Sequence, residues 1–440
     1  MPFAVPGDRI FARVFKRKKN FAEAEIVEVL EPSALRTEPR CFYFGTCGGC
    51  RWQHVDYRAQ LDAKTESVRN ALTHTGRFAD VDVEPAIGSE KVYFYRNKME
   101  FSFSAGRWLT REEIDSGREF DTEFALGLHV PGTFDKVLDL HECHLQSPTS
   151  RELVNGMRTL AREHGMEPWH IRRHTGFLRH LVIRTAERTG EMMVNLVTNG
   201  FDETRMNLVG DFLRREFPKV STFVNTIHTG KAQTALGEEI RTIFGPGVIH
   251  DRIGSYTFEI SPNAFFQTNT AQAEKLYEVA KEFAELQADD LVYDLYCGAG
   301  TISIYLADAV DRVVGIELIE EAVHNARANA AANDVSNCSF VEGDIAAVFA
   351  PPFLEEHGRP DVLVVDPPRA GMHPGVVEQV AALGPDRFVY VSCNPQTQAR
   401  DLDMLRASYR IERVQPVDLF PHTHHVENVV KLRRTAPASI

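Results

Sequence analysis

Long apolar runs are missing from this chain: nothing in it approaches the ~20 consecutive apolar residues of a membrane-spanning helix. The opening MPFAVPGDRI has no basic segment leading into an apolar one, so a cytoplasmic protein is expected. Cysteine is scarce, with seven in 440 residues, and the count is odd. The thiols therefore point to metal binding or catalysis rather than to a disulfide framework. Positive charge is also short, with 49 Lys and Arg against 62 Asp and Glu and a net charge of -13. That deficit argues against the broad basic footprint of a nonspecific nucleic-acid binder. Local patches remain: Arg13 to Lys19 (RVFKRKK), the group Arg172, Arg173, His174, Arg179 and Arg184, and the tail Lys431, Arg433 and Arg434. With 43% hydrophobic and 25% charged residues, the composition supports two or three globular domains.

Residues 1–38 carry two short strand patterns, Arg9 to Val14 and Ala24 to Leu30, separated by the basic turn KRKKN. Alone they hold too little core to be stable. Cys41, Cys47 and Cys50 follow in C-x5-C-x2-C spacing, with a double glycine that lets the backbone wrap tightly. Zinc sites usually draw cysteines in close pairs, whereas three clustered thiolates completed by a distant fourth suit a [4Fe-4S] cluster. Cys143, in LDLHECHLQSP, is the one cysteine left before the carboxyl-terminal half, and its neighbours His141 and His144 keep zinc open. Through the rest of 39–260, helical spacing (Trp52 to Thr75, Ser150 to His164, Glu203 to Glu216) mixes with strand alternation (Tyr93 to Trp108, Phe124 to Leu140, Leu178 to Thr185, Glu191 to Val197). That mixture predicts one α+β domain. Aromatic and basic residues interleave at Tyr93, Tyr95, Arg96, Lys98, Phe101 and Phe103, as on surfaces that stack unpaired bases.

Over 261–440 strands and helices alternate: LVYDLY and GAGTISIYLADAV, RVVGIEL and EEAVHNARANAAAND, then DVLVVDPP and RFVYVSC with their own helices. This rhythm predicts an α/β fold, a doubly wound parallel sheet, which binds ligands at the carboxyl ends of its strands. Asp294 opens a Gly298-Ala-Gly300-Thr301 turn between strand and helix, Glu317 ends the next strand a little over twenty residues on, Asp344 ends the third and Asp366 the fourth. Acids on successive strand ends beside two glycines fit S-adenosylmethionine better than a pyrophosphate nucleotide. The run Phe388 to Val391 stops at Ser392-Cys393-Asn394-Pro395, placing the Cys393 thiol at the same sheet edge.

Together these motifs resemble the RNA uracil-5-methyltransferases, and within them the iron-sulfur branch that acts on 23S ribosomal RNA. The resemblance covers nearly the whole chain and rests on C-x5-C-x2-C with Cys143, SPNAFFQTN, DLYCGAGT, DPPR, SCNP and DLFPHTHHVE. It implies a Rossmann-like class I methyltransferase domain at 261–440, and at 1–38 a truncated module of the TRAM type. Gln267, Tyr296, Thr301, Glu317, Asp344 and Asp366 are then contacts to S-adenosylmethionine, although the family often has asparagine at the positions of Thr301 and Asp344. Cys393 is then the nucleophile and Glu427 the general base, and Cys41, Cys47, Cys50 and Cys143 hold the [4Fe-4S] cluster. The implied partner is RNA, ribosomal rather than transfer RNA because the family's transfer-RNA branch lacks the cluster cysteines, and the enzyme acts as a monomer without a membrane.

Two other readings compete. An amine methyltransferase would use DPPR as an Asp-Pro-Pro-aromatic site, but arginine follows the prolines here. An RNA-binding assembly factor with a vestigial fold would not need a candidate at each catalytic position.

Overall fold

The structure is a computed structural model that describes residues 1–19, 21–345, 349 and 351–435. Its carboxyl-terminal half is a seven-stranded sheet in the order Cys338–Glu342, Arg312–Glu317, Leu291–Leu295, Val362–Val365, Arg387–Ser392, Glu427–Arg434, Tyr409–Val417. Its central strands are almost continuous runs of Val, Leu, Ile, Phe and Tyr because both faces are covered. Alternation divides them cleanly. Val292, Val364, Val389 and Val391 pack with Leu276 and Phe283 of the helix Thr270–Ala284 in one core layer. Tyr293, Leu363, Val365, Phe388 and Tyr390 pack with Val380 and Leu402, from the helices Pro374–Leu383 and Pro395–Leu405, in the other.

The expectation of a parallel sheet is corrected at one strand. Glu427–Arg434 lies between Arg387–Ser392 and Tyr409–Val417 and runs antiparallel to both. Strand polarity is a property of the connection, and a short return from the neighbouring strand leaves room only for an antiparallel partner.

An eight-stranded sheet fills the middle of the chain, including Lys98–Ser104, Leu178–Thr185, Met192–Thr198 and Val220–Ile227, with the helices Pro148–Glu163 and Glu203–Glu216 packed on it. Two predicted elements start later than their patterns implied. The helix expected from Trp52 begins at Tyr57, where the Asp56 side chain caps the Arg58 and Ala59 amides. The strand expected from Tyr93 begins at Lys98, because Phe94 has φ 57. Tyr95, Phe101 and Phe103 are buried in the core rather than presented for base stacking. Arg179 and Arg184 likewise leave the predicted basic patch: both are buried, donating to the carbonyls of His228 and Gly230 and of Pro262 and Ala264 respectively.

The helix Tyr57–Asn70 packs on the carboxyl-terminal sheet, Val68 sharing a core layer with Phe388 and Val430. At the amino terminus Arg9–Arg17 and Ala22–Glu31 form an antiparallel hairpin whose residues are mostly exposed. Among the described residues, no helix is long and apolar enough to cross a membrane.

Candidate active site

The carboxyl edge of the seven-stranded sheet opens into a cavity of about 1160 Å³, and all eight carboxyl-terminal residues singled out from the sequence line it: Gln267, Tyr296, Thr301, Glu317, Asp344, Asp366, Cys393 and Glu427. The strand Leu291–Leu295, first of this sheet in chain order, delivers the turn Tyr296 to Thr301, in which Tyr296, Gly298 and Gly300 all have positive φ. At Gly300 a Cβ would meet the Phe340 ring at 2.8 Å, so the close turn requires glycine there. The Glu317 carboxylate caps this turn from the next strand, accepting from the backbone amides of Gly298 (3.1 Å), Leu318 (2.8 Å) and Ile319 (3.0 Å). Thr301 shares a 3.0 Å hydrogen bond with the Tyr277 hydroxyl. Asp344 is exposed just beyond the third strand. Gln267 is buried in the loop before the helix Thr270–Ala284, its backbone carbonyl accepting from Nδ2 of the Asn97 side chain at 2.7 Å. Two residues before it, Phe265 is 72% exposed and lines the same cavity.

Cys393 and Glu427 meet through the inverted strand. Cys393 directly follows Arg387–Ser392, and the partner of Ser392 in the ladder is Asn428. Because that neighbour runs the other way, its first residue, Glu427, falls at the end where the parallel strands finish. Asn394 then caps the helix Pro395–Leu405, accepting from the Gln396 amide, so Cys393 sits on a short turn between strand and helix.

Electrostatics single out the same group. Burial first, and the charge of Asp366 second, push the Glu427 carboxyl up to about 8, with Arg369 pulling the other way. Burial raises Asp366 to about 7, with Asp294 adding to it. Asp294 is itself raised to about 7 by burial, although the Ser303 hydroxyl donates to it at 2.5 Å. The Cys393 thiol is raised by burial, then by Glu427 and Asp366. Arg369 opposes the rise by its charge and by a hydrogen bond to the thiol. Carboxyls displaced towards neutrality in a shared cavity are suited to proton transfer.

Arg369 is a residue that sequence reasoning passed over, noting it only as the wrong type for an amine site. Its backbone carbonyl accepts from Nδ2 of the Asn394 side chain (3.0 Å) and from the Thr397 hydroxyl (3.1 Å). Its guanidinium lies 3.2 Å from Nδ1 of His425. The usable signal was positional: DPPR ends the strand beside Cys393.

Cys41, Cys47, Cys50 and Cys143 converge on a second, much smaller cavity of about 20 Å³, with Leu128, Leu140 and Leu145 among its walls. Burial chiefly, and mutual repulsion among the thiols, raise Cys41 and Cys50 to about 12 and Cys47 to about 11. Only a bound cation would ionise such thiols near neutral pH. Among the described residues, no three His, Cys, Asp or Glu side chains close around a single metal ion.

A doubly wound sheet with a glycine turn and strand-end acids around one cavity defines a class, the S-adenosylmethionine-dependent methyltransferases of Rossmann-like fold. Comparisons with known proteins narrow it. A sequence profile described as tRNA (Uracil-5-)-methyltransferase matches residues 247–347 and 354–435. An uncharacterized RNA methyltransferase of Porphyromonas gingivalis is 43% identical over 99% of this chain and 95% of its own. One of Chlorobaculum tepidum is 44% identical over 98% of this chain and 90% of its own. The chain is similar in structure to the Pyrococcus abyssi tRNA (uracil-54, C5)-methyltransferase solved with S-adenosyl-L-homocysteine, with a TM-score of 0.76 and 30% identity over 98% of this chain and 94% of that one. The chain belongs to the family of S-adenosylmethionine-dependent RNA uracil-5-methyltransferases.

Proposed function

We propose that this enzyme methylates carbon 5 of a specific uridine in ribosomal RNA through a covalent bond between Cys393 and carbon 6. The observation that carries the mechanism is the meeting of Cys393 and Glu427 at one sheet edge, in the cavity that also holds the glycine turn and Glu317. S-adenosylmethionine supplies a methyl group activated on a sulfonium. Gln267, Tyr296, Thr301, Glu317, Asp344 and Asp366 hold this donor, Glu317 by accepting from its ribose.

Carbon 5 of uracil is a weak nucleophile until a thiolate adds to carbon 6 and pushes electron density onto it. Cys393 makes that bond, with Arg369 favouring its ionised form. After methyl transfer, the Glu427 carboxylate takes the remaining proton from carbon 5. The electron pair restores the double bond and expels the Cys393 thiolate. The exposed face of Phe265 at the cavity offers a stacking surface for the base.

The four-cysteine cavity would hold a [4Fe-4S] cluster, and these cysteines carry the choice of ribosomal RNA. Transfer RNA is the second reading, favoured by the solved transfer-RNA enzyme. An RNA substrate supports a cytoplasmic location. Mapping 5-methyluridine in ribosomal and transfer RNA, from cells with and without this protein, tests the reading. One ribosomal site should vanish; loss of a transfer-RNA site instead would establish the second reading, and loss of neither would reject both.

A further inference from the structure

The residue that joins the two cavities is His422. It is buried, has φ 65 in a non-glycine residue, and lies five positions before Glu427 in the chain. Its carbonyl accepts from the Arg51 amide (2.8 Å) and the Trp52 amide (3.0 Å), the two residues that follow Cys50. Its own amide donates to Oε1 of Gln60 at 2.9 Å, and its ring packs at a tilt against that of Tyr93, with centroids 4.3 Å apart. Gln60 is fully buried and ties the same point back to the cysteine segment, its Nε2 donating to the carbonyls of Trp52 (3.0 Å) and Val55 (2.9 Å).

The remainder of the 418–427 loop is held just as closely. Lys64 pairs with Asp418 at 2.5 Å, both side chains fully buried, and also donates to the Phe420 carbonyl at 3.1 Å. The Tyr95 hydroxyl donates to the Pro421 carbonyl at 3.1 Å. The other cysteine segment reaches the catalytic cavity as well: the amide of Arg96, which lines that cavity, donates to the Leu145 carbonyl at 2.8 Å, two residues after Cys143. The glycine turn and Glu317 are instead held to one another and to Tyr277.

We infer that Gln60 and the turn following Cys50 are positioning elements for the base Glu427, so that the four-cysteine site governs the catalytic end of the cavity and leaves the glycine turn and Glu317 alone. A non-glycine residue held at positive φ persists only while its surroundings over-determine it. The backbone bonds from Arg51 and Trp52 and the Gln60 side chain do so here. When the four-cysteine site loses its metal, the segment 41–52 loosens, His422 is released, and the loop ahead of Glu427 moves. A displacement near 1 Å is enough to cost a general base about 100-fold. This inference rests on the assignment of Glu427 as the base and of the four cysteines as a metal centre.

The test uses the metal-loaded enzyme and three preparations: Gln60→Met, Glu427→Gln, and parental protein stripped of metal by oxidation and chelation. Gln60→Met keeps the side-chain volume and removes the bonds to His422. It is expected to bind S-adenosylhomocysteine within about twofold of the parent, and to lose about 10- to 100-fold in turnover. With RNA and S-adenosylmethionine it should accumulate a denaturation-resistant enzyme–RNA species, which a merely destabilised enzyme would not do. In stripped protein, amide hydrogen exchange should rise over 418–427 and stay unchanged over 296–301 and 317–319. The inference is overturned if Gln60→Met behaves as the parent while Glu427→Gln accumulates the adduct. It is overturned equally if exchange over 418–427 does not respond to stripping, or if donor affinity falls along with it. A Glu427→Gln enzyme that turns over normally rejects the base assignment itself.

Discussion

Glu427→Gln should stabilise the folded enzyme above neutral pH while abolishing turnover. The carboxyl is 4% exposed and its pKa rises from 4.5 to about 8. At about 1.4 kcal/mol for each pH unit of displacement, the fold disfavours the ionised form by about 5 kcal/mol. Below 4.5, folded and unfolded chains both keep the proton, and the carboxyl makes no difference. Between 4.5 and about 8 the unfolded chain releases its proton first, so stability falls as pH rises, and above that range the loss is complete. Glutamine does not titrate. The stability of Glu427→Gln relative to the parent should therefore grow by about 4 kcal/mol from about pH 5 to about pH 8.5, read from urea unfolding of both proteins at the two pH values. Asp294 titrates in both proteins and largely cancels in the subtraction. A difference that stays the same at both pH values would refute the raised pKa of this buried carboxyl. In the same variant, addition and methyl transfer should proceed without removal of the carbon 5 proton, leaving RNA bound covalently to Cys393.

Cys393→Ala should lose both methylation and any covalent RNA species on a denaturing gel, and residual methylation would remove Cys393 from the mechanism. Glu317→Ala should weaken S-adenosylmethionine binding by about 1.5 to 3 kcal/mol, the range for hydrogen bonds to a charged group; unchanged affinity by calorimetry would reject that contact. Arg369→Met removes the cation that lowers both Cys393 and Glu427, so the rising limb of the pH–rate profile should move to higher pH, and a limb that stays in place would show that Arg369 does not act on them. Protein purified without oxygen should be brown, with four irons that Cys143→Ala cannot retain; stoichiometric zinc without iron would reject the cluster.

Local chemistry made much of this protein legible. An acid at the end of a buried run, a glycine pair between strand and helix, and thiols in C-x5-C-x2-C spacing each depend on neighbours within a few residues. Glu317, Asp366, Cys393 and the turn at Gly298 could therefore be placed before any fold was known, and the helix Glu203–Glu216 could be read to its ends from periodicity. What lay beyond local pattern was decided by tertiary structure. Strand periodicity carries no information on polarity, so only the sheet shows that Glu427–Arg434 is inverted and that Glu427 thereby reaches Cys393. Arginine spacing cannot distinguish a surface patch from a buried clamp, and Arg179 and Arg184 became clamps because carbonyls from distant loops converge on them. The tie from Cys50 through His422 towards Glu427 spans more than three hundred residues of chain. It exists because the helix Tyr57–Asn70 and the turn that follows it bury Val68 and Leu72 against the carboxyl-terminal sheet, and the fold is what brings those apolar surfaces together.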